Sequence, residues 1–166
     1  MPDQTSLVIN GWTVFCHPLF LDELDSLIEK VEILKEKDPQ NFEKKSVTKR
    51  LAAIAKLAFE VIPQDPSLPD YRQGGTLGND HKHWFRAKFF QQYRLFFRFD
   101  SASKIIVFVW VNDEKNKRAY GSKTDAYRVF EKMLNSGHPP DGWSQLLKES
   151  QDSLNHLNEV TKKLLD

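Results

Sequence analysis

The chain has 166 residues, 40% of them hydrophobic, and a formal net charge of +1. This length supports one packed core and excludes two ordinary domains with separate cores. No run approaches the roughly 20 apolar residues that span a bilayer, and no basic segment followed by an apolar run opens the chain, so we expect a cytoplasmic protein without a membrane partner. The single cysteine, Cys16, excludes an internal disulfide framework and a multi-cysteine zinc site.

Charge is distributed unevenly along the chain. Residues 82–132 contain 12 lysines and arginines against five acidic residues, whereas the segments on either side are both net acidic. Such a segment favours a cationic face that binds phosphates. Charge alone fits an ordinary solvated basic surface equally well.

The hydrophobic pattern of the N-terminal half predicts one strand and two helices. Residues 7–15 are rich in Val, Ile, Trp and Phe and predict a strand with a bulge or kink at its Asn-Gly pair. Apolar residues at three- and four-residue spacing predict a helix that ends before Pro39 and a second helix over residues 47–61. The prolines and glycines of residues 63–80 predict an irregular connection.

The C-terminal half predicts three strands followed by helices. Aromatic and aliphatic runs at 84–89, 93–99 and 105–111 predict sequential antiparallel strands. Helical spacing predicts a third helix over 124–135 and a last one over 143–164. The order βααβββα plus a C-terminal helix predicts an α+β domain.

Within the middle strand of this trio, alternation places two arginines on one face. Arg94, Phe96 and Arg98 share that face because successive side chains of a strand point to opposite sides. Arg86 and Lys88 alternate with apolar residues in the same way on the preceding strand. The pattern predicts a basic face built on a rigid sheet.

Four segments resemble the YhaV toxin family of the RelE-like superfamily. They read NGWTVFCHPLF, VTKRLAAIAKL, WFRAKFFQQYRLFFRFD and WVNDEKNKRAYGSKTDAYRVFEKMLNSGHPPDGW, and the last is the most specific because its elements recur in order at fixed distances. The resemblance implies a RelE-like fold, a twisted antiparallel sheet packed with helices. It fades after about residue 145, so we expect a toxin domain over residues 1–143 and a C-terminal helical extension over residues 144–166.

The same resemblance implies a function and its partners. It implies an endoribonuclease that cleaves mRNA in association with ribosomes and inhibits translation and growth. The implied partner is an antitoxin of the PrlF type, a swapped-hairpin protein, and operator DNA would be bound only by the toxin–antitoxin complex. No cofactor and no metal are implied.

Metal-free RNA cleavage makes definite demands on the protein. The 2′-hydroxyl of the substrate attacks the adjacent phosphate, so the protein must help remove a proton, stabilise negative charge and protonate the leaving oxygen. By resemblance, the predicted catalytic residues are Arg94, Lys88, Arg86 and Tyr120. The competing structural interpretations are a surface salt bridge for Arg94, an ordinary basic strand face for Arg86 and Lys88, and a packed side chain for Tyr120.

A second set of residues is predicted to hold the RNA. These residues are Lys117, Arg118, Arg98, Lys82 and His83. In related toxins an arginine lies six residues before the tyrosine, and Glu114 occupies that position here. Which of Lys115, Lys117 and Arg118 neutralises charge, or whether Glu114 acts as a base, stays open.

Histidines adjacent to the basic strand raise the question of a metal. A zinc site from His81, His83 and Asp80 needs a further ligand that the sequence does not place, and the HxH pattern is a weak signal. We therefore predict no metal. Loop histidines without a chemical role are the expected interpretation.

Two alternatives to a nuclease remain. The same fold and basic face suit a non-catalytic module that binds RNA, the ribosome or an antitoxin. A regulator that acts through protein contacts in transcriptional autoregulation is the other. A neighbouring gene for a swapped-hairpin antitoxin would favour the toxin.

Overall fold

The computed structural model describes residues 5–165, and its centre is a five-stranded sheet. The strands span Leu7–Ile9 (β1), Trp12–Cys16 (β2), Phe85–Phe89 (β3), Tyr93–Asp100 (β4) and Ile105–Val111 (β5). Their order across the sheet is β1-β2-β5-β4-β3. Neighbouring strands are antiparallel except β2 and β5, which are parallel, so the sheet is mixed. The predicted α+β class is confirmed.

The predicted single strand over residues 7–15 is wrong, because the chain reverses at Asn10-Gly11 and forms a hairpin. Both turn residues have positive φ, +51° for Asn10 and +82° for Gly11. Asn-Gly is favoured in two-residue hairpin turns because both residues tolerate this left-handed backbone. Asn10 Nδ2 also donates to the carbonyl oxygen of Pro63 at 3.1 Å, which anchors the turn.

Five α-helices accompany the sheet. They span Pro18–Lys37 (α1), Ser46–Lys56 (α2), Ala126–Asn135 (α3), Trp143–Gln151 (α4) and Leu154–Leu165 (α5). The chain continues helically after α2, as a π turn over Leu57–Val61 and a 3₁₀ turn over Ile62–Gln64. Within residues 5–165, no helix is both long and apolar enough to cross a membrane.

The helices cover both faces of the sheet. On one face, Phe20 of α1 and Phe59 of the π turn pack on Phe108 of β5, with ring centroids 5.9 and 6.3 Å apart. On the other face, Phe130 of α3 stacks on Phe96 at 4.3 Å. The core is therefore continuous through the sheet, and α3 lies against the face that carries the alternating arginines.

A β-bulge between β4 and β5 places aromatic rings of β5 on both faces of the sheet. The pairing steps from Phe96 with Trp110 to Phe97 with Phe108, which leaves Val109 as an extra residue on β5. Such a residue shifts the alternation of side chains by one position. Phe108 can therefore face α1 while Trp110 stacks on Phe130 of α3 at 5.7 Å.

The C-terminal segment forms two helices rather than the predicted one. The chain breaks at Asp152, so α4 and α5 pack separately. His17 Nε2 lies 2.9 Å from Glu149 Oε1 of α4, and His156 Nε2 of α5 lies 2.7 Å from Asp25 Oδ2 of α1. The described part of the predicted extension thus packs on the same core as the rest of the chain.

Candidate active site

Strands β3 and β4 bring two arginines of the basic segment to one face of the sheet. Their register pairs Lys88 with Arg94 and Arg86 with Phe96. Phe96 contacts α3, and Arg86 and Arg94 lie on the same side, as the alternation predicts. Arg86 is 8% and Arg94 6% exposed. Lys88, beside them, is exposed to solvent.

The hydroxyl of Tyr127, in the first turn of α3, joins the two arginines. It accepts a hydrogen bond from Arg86 Nε at 2.8 Å and from Arg94 Nε at 3.2 Å. Tyr127 is only 5% exposed. Since the oxygen accepts twice, its own O–H proton remains available to a further acceptor. Tyr127 was not among the residues predicted from the sequence, and the only sequence signal for it was its position two residues after Asp125, the cap of α3.

The guanidiniums of Arg86 and Arg94 donate to neutral acceptors. Arg86 Nη1 donates to the carbonyl of Asp70 at 2.7 Å, and Arg94 Nη1 donates to the carbonyl of Gln91 at 2.8 Å. Among residues 5–165, neither guanidinium pairs with a carboxylate, and neither Nη2 makes a hydrogen bond. Buried cations without a counter-charge are costly, so this arrangement favours an anionic ligand.

A third arginine completes the group. The guanidinium carbon of Arg118 lies 4.6 Å from the ring centre of Tyr127, and Arg118 Nη1 lies 2.7 Å from Asp125 Oδ1. Partial burial lowers the pKa of Arg118, but the Asp125 carboxylate outweighs this and raises it. Asp125 also caps α3 by accepting the N–H of Tyr127 at 3.1 Å. Arg86, Arg94, Arg118 and Tyr127 are called the arginine cluster below.

Exposed residues surround the arginine cluster. Tyr120 is 86% exposed, and its ring lies 3.6 Å from the Arg118 guanidinium carbon. Lys117 is exposed on the same loop. Phe90, at the turn between β3 and β4, is 54% exposed despite its apolar ring. The cluster therefore has a rim of cationic and aromatic side chains that single-stranded RNA could contact.

Surface depressions lie on two sides of the arginine cluster. One is lined by Arg86, Lys88 and residues 69–72. The other is lined by Arg118 and Tyr127 together with neighbours on α3 and its preceding loop. Both depressions therefore open beside members of the arginine cluster, Arg86 in the first and Arg118 with Tyr127 in the second.

Three predicted RNA-binding residues lie elsewhere. Arg98 is held between Trp84 and Trp143, 5.3 and 5.4 Å from their ring centres, and donates to the carbonyl of Asp141 at 2.6 Å. Burial lowers the pKa of its guanidinium. His83 contacts the Asp141 side chain at 2.8 Å. Lys82, the residue before His83 in the chain, is exposed. The structure brings none of the three into the arginine cluster.

The structure also shows the environment of Glu114. Its carboxylate lies 3.3 Å from Arg50 Nη1 of α2, and the same nitrogen donates to the hydroxyl of Tyr93 at 2.9 Å. Tyr93 points to the opposite side of β4 from Arg94. Arg118, rather than Glu114, is therefore the residue of this loop that belongs to the arginine cluster.

Comparison with known proteins identifies the family. A sequence profile of YhaV toxins, described as "toxin with endonuclease activity, of toxin-antitoxin system", matches residues 14–151. The chain belongs to the YhaV toxin family. The predicted family and the predicted nuclease activity are thereby confirmed.

Individual YhaV toxins match most of the chain. Toxin YhaV of Escherichia coli O6:H1 strain CFT073 is 47% identical over 147 residues, which cover 87% of this chain and 96% of that toxin. Ribonuclease toxin YhaV of Escherichia coli K12 is 46% identical over 147 residues, which again cover 87% of this chain and 96% of that toxin. No solved structure matches this chain.

Proposed function

We propose that the chain is a metal-independent endoribonuclease that cleaves mRNA at the arginine cluster. The observation that carries the proposal is the pair of buried guanidiniums, Arg86 and Arg94, which share the Tyr127 hydroxyl and, in the part of the chain that the structure describes, donate only to neutral acceptors. A phosphodiester supplies the missing negative charge. RNA as substrate is supported by the name of the K12 relative, a ribonuclease toxin.

The reaction uses the substrate's own nucleophile. The O2′ atom forms a bond to phosphorus and loses its proton to a base, while the bond from phosphorus to O5′ breaks and O5′ takes up a proton. The products are a 2′,3′-cyclic phosphate and a 5′-hydroxyl. Protein donors aimed at the oxygens of the pentacoordinate phosphorus lower the barrier because negative charge develops there.

The role of each residue in this reaction follows from its position in or beside the arginine cluster. Arg86 and Arg94 each keep Nη2 donors for the non-bridging oxygens. Lys88 and Tyr127 flank the two guanidiniums and serve the proton transfers. Arg118 adds positive charge at the edge of the cluster.

The rim residues hold the strand. Tyr120 stacks on an RNA base, and Lys117 binds the backbone, because single-stranded RNA is held by stacking and by phosphate contacts. Arg98, Lys82 and His83 have no part in this proposal.

The partners follow from the toxin–antitoxin system. A toxin of such a system has an antitoxin as its partner. We propose a PrlF-like swapped-hairpin antitoxin that places carboxylates on the arginine cluster, and operator DNA that is bound only by the complex. The substrate is mRNA in the cytoplasm, and cleavage occurs in association with the ribosome and inhibits translation and growth.

The first experiment compares cells that express wild type, Arg94→Ala or Lys148→Ala at matched soluble levels. Lys148→Ala is the control because it also removes one positive charge, from an exposed site on α4. Mapping of mRNA 5′ ends should show new internal ends with wild type and Lys148→Ala, and about 100- to 1,000-fold slower cleavage with Arg94→Ala. Equal cleavage by all three proteins would refute the role of Arg94.

A second experiment tests the chemistry with purified protein in a chelating buffer. A short RNA should be cut to cyclic-phosphate and 5′-hydroxyl ends, and a 2′-deoxy substitution at the cleaved position should block the reaction. Cleavage that persists without the 2′-hydroxyl would contradict the mechanism. Addition of ribosomes to the same mRNA then measures how much they contribute to the rate.

A further inference from the structure

A second group of polar side chains lies outside the arginine cluster. His81 and His83 precede β3, and Asp141 precedes α4. One ring nitrogen from each histidine and a carboxylate oxygen of Asp141 lie within 4.8 Å of one another. His83 Nε2 is 2.8 Å and His81 Nδ1 is 3.3 Å from Asp141 Oδ1. Asp141 was not predicted as a ligand from the sequence, because 58 residues separate it from His83.

The side-chain hydrogen bonds of this group all converge on one oxygen of the Asp141 carboxylate. Asp141 Oδ1 is approached by three nitrogens, since Trp84 Nε1 also donates to it at 2.7 Å. A carboxylate oxygen has about two lone-pair sites, so three donors exceed its capacity. Within residues 5–165, Asp141 Oδ2 accepts no hydrogen bond although Oδ1 is crowded.

We propose that His81 Nδ1, His83 Nε2 and the Asp141 carboxylate bind a divalent transition metal ion, Zn²⁺ in the first instance. Imidazole and carboxylate are both zinc ligands, and bonds of about 2.0–2.2 Å in a tetrahedron place ligand atoms about 3.3 Å apart. The observed separations from Asp141 Oδ1, 2.8 and 3.3 Å, need only small adjustments to reach this spacing.

The surroundings suit such an ion. The side chains of His83 and Asp141 are 37% and 39% exposed, so water can occupy the fourth position. The Trp84 indole holds the carboxylate in place, as hydrogen-bond donors outside a coordination sphere commonly do.

The ion would tie the segment before α4 to the segment before β3. Its role is structural, because none of its three ligands belongs to the arginine cluster. The neighbouring Arg98 is also outside that cluster, since it contacts tryptophan rings and a backbone carbonyl. The inference therefore stands independently of the proposed RNA chemistry.

Zinc binding to untagged, chelator-stripped full-length protein tests the site. Zn²⁺ is titrated in competition with a chromogenic chelator, and wild type should bind one equivalent. His83→Gln and Asp141→Asn should each weaken binding by more than about 100-fold, because the loss of an outer hydrogen bond alone weakens it about 10- to 100-fold. Zn²⁺ should also raise the melting temperature of wild type but not of either variant.

Another group of potential metal ligands in the chain provides a control for the zinc titration. Asp22, Asp25 and His156 form a second group of close donors, with one histidine and two exposed carboxylates. His156→Gln should leave the one equivalent of zinc unchanged. Absence of saturable binding in wild type overturns the proposal, and so does a loss of binding in His156→Gln with retention in His83→Gln. Circular dichroism of each variant confirms that the compared proteins are folded.

Discussion

The hydroxyl oxygen of Tyr127 lies 3.2 Å from Nε of Arg94, although 33 residues separate the two along the chain. The same oxygen accepts a hydrogen bond from Arg86 Nε at 2.8 Å. One atom of α3 thus fixes the planes of two guanidiniums that the sheet carries. Orientation matters because the planar fork of arginine binds phosphate oxygens in its own plane.

Tyr127→Phe should keep the fold and slow RNA cleavage about 100-fold, because it removes the shared acceptor and a proton donor. Hydrogen bonds to charged groups contribute about 1.5–3 kcal/mol, so the free energy of unfolding should fall by a comparable amount. Single-turnover cleavage rates and urea unfolding measure the two effects.

Tyr93→Phe is the matched control for this prediction. The hydroxyl of Tyr93 also accepts from a buried arginine, Arg50, at 2.9 Å, but on the opposite side of β4. This variant should lose similar stability and keep its cleavage rate. If both variants slow cleavage equally, the effect of Tyr127 is one of stability and its positioning role is wrong.

Local patterns predicted part of the site, and the remainder depends on distant contacts. Period-two alternation placed Arg86 and Arg94 on one face, because a strand enforces that relation among its own residues. The position of Tyr127 depends on where α3 packs. Arg98 is held outside the arginine cluster by its contact with Trp143, which lies 45 residues later in the chain. No periodicity in the sequence encodes either contact.

The fold shows the same division between local and distant information. The existence of most helices and strands followed from hydrophobic spacing. The Asn10-Gly11 reversal was a local signal interpreted as a bulge rather than a hairpin turn. The parallel pairing of β2 with β5 brings together segments about 90 positions apart, which single-sequence patterns do not specify.

Inorganic phosphate should stabilise the folded protein, because Arg86 and Arg94 have unpaired donors and pair with no carboxylate among the described residues. A ligand at ten times its Kd stabilises the native state by about 1.4 kcal/mol, and the melting temperature rises accordingly. Thermal unfolding with phosphate, against chloride at equal ionic strength, measures this. Arg86→Gln combined with Arg94→Gln should abolish the shift, and an unchanged shift would place the anion elsewhere.

Phe90 should contribute to RNA affinity by stacking on a base. Its ring is 54% exposed, and its backbone φ of +45° is unusual for a bulky residue. Arg94 Nη1 donates to the carbonyl of the next residue, so the turn adjoins the arginine cluster. Phe90→Ala should weaken binding of a non-cleavable 2′-deoxy RNA by about 1–3 kcal/mol, measured by fluorescence anisotropy. Val8→Ala, at an exposed apolar site on β1 at the opposite edge of the sheet from β3, should leave affinity unchanged.

The His17 side chain should make stability depend on pH. Its Nδ1 accepts the N–H of Leu19 at 3.2 Å, and its Nε2 lies 2.9 Å from Glu149 Oε1. A neutral ring with its proton on Nε2 satisfies both contacts. Burial lowers the pKa of His17, even though Glu149 opposes the change. Protonation of the ring removes the acceptor at Nδ1, so acidification weakens the cap of α1, whereas the Nε2–H bond to Glu149 is kept.

The sign of the effect follows from the lowered pKa. The unfolded chain binds a proton near pH 6.5, before the folded chain does, so the contribution of His17 is present above about pH 6.5 and is lost as pH falls through the folded pKa. Partial burial raises the pKa of Glu149, but the hydrogen bond from His17 outweighs it and lowers the net value. Glu149 therefore adds a loss of the same sign at lower pH.

His17→Asn should separate titration from helix capping, because asparagine caps helices without binding a proton. The free energy of unfolding of wild type should fall between pH 7 and about pH 5, and the variant should show a flatter dependence. His138→Asn removes an exposed histidine whose charge makes the smallest contribution to lowering the pKa of His17, so this variant should retain most of the wild-type slope. Urea unfolding at half-unit pH steps gives the three curves, and identical slopes for wild type and His17→Asn would show that another group controls the acid loss.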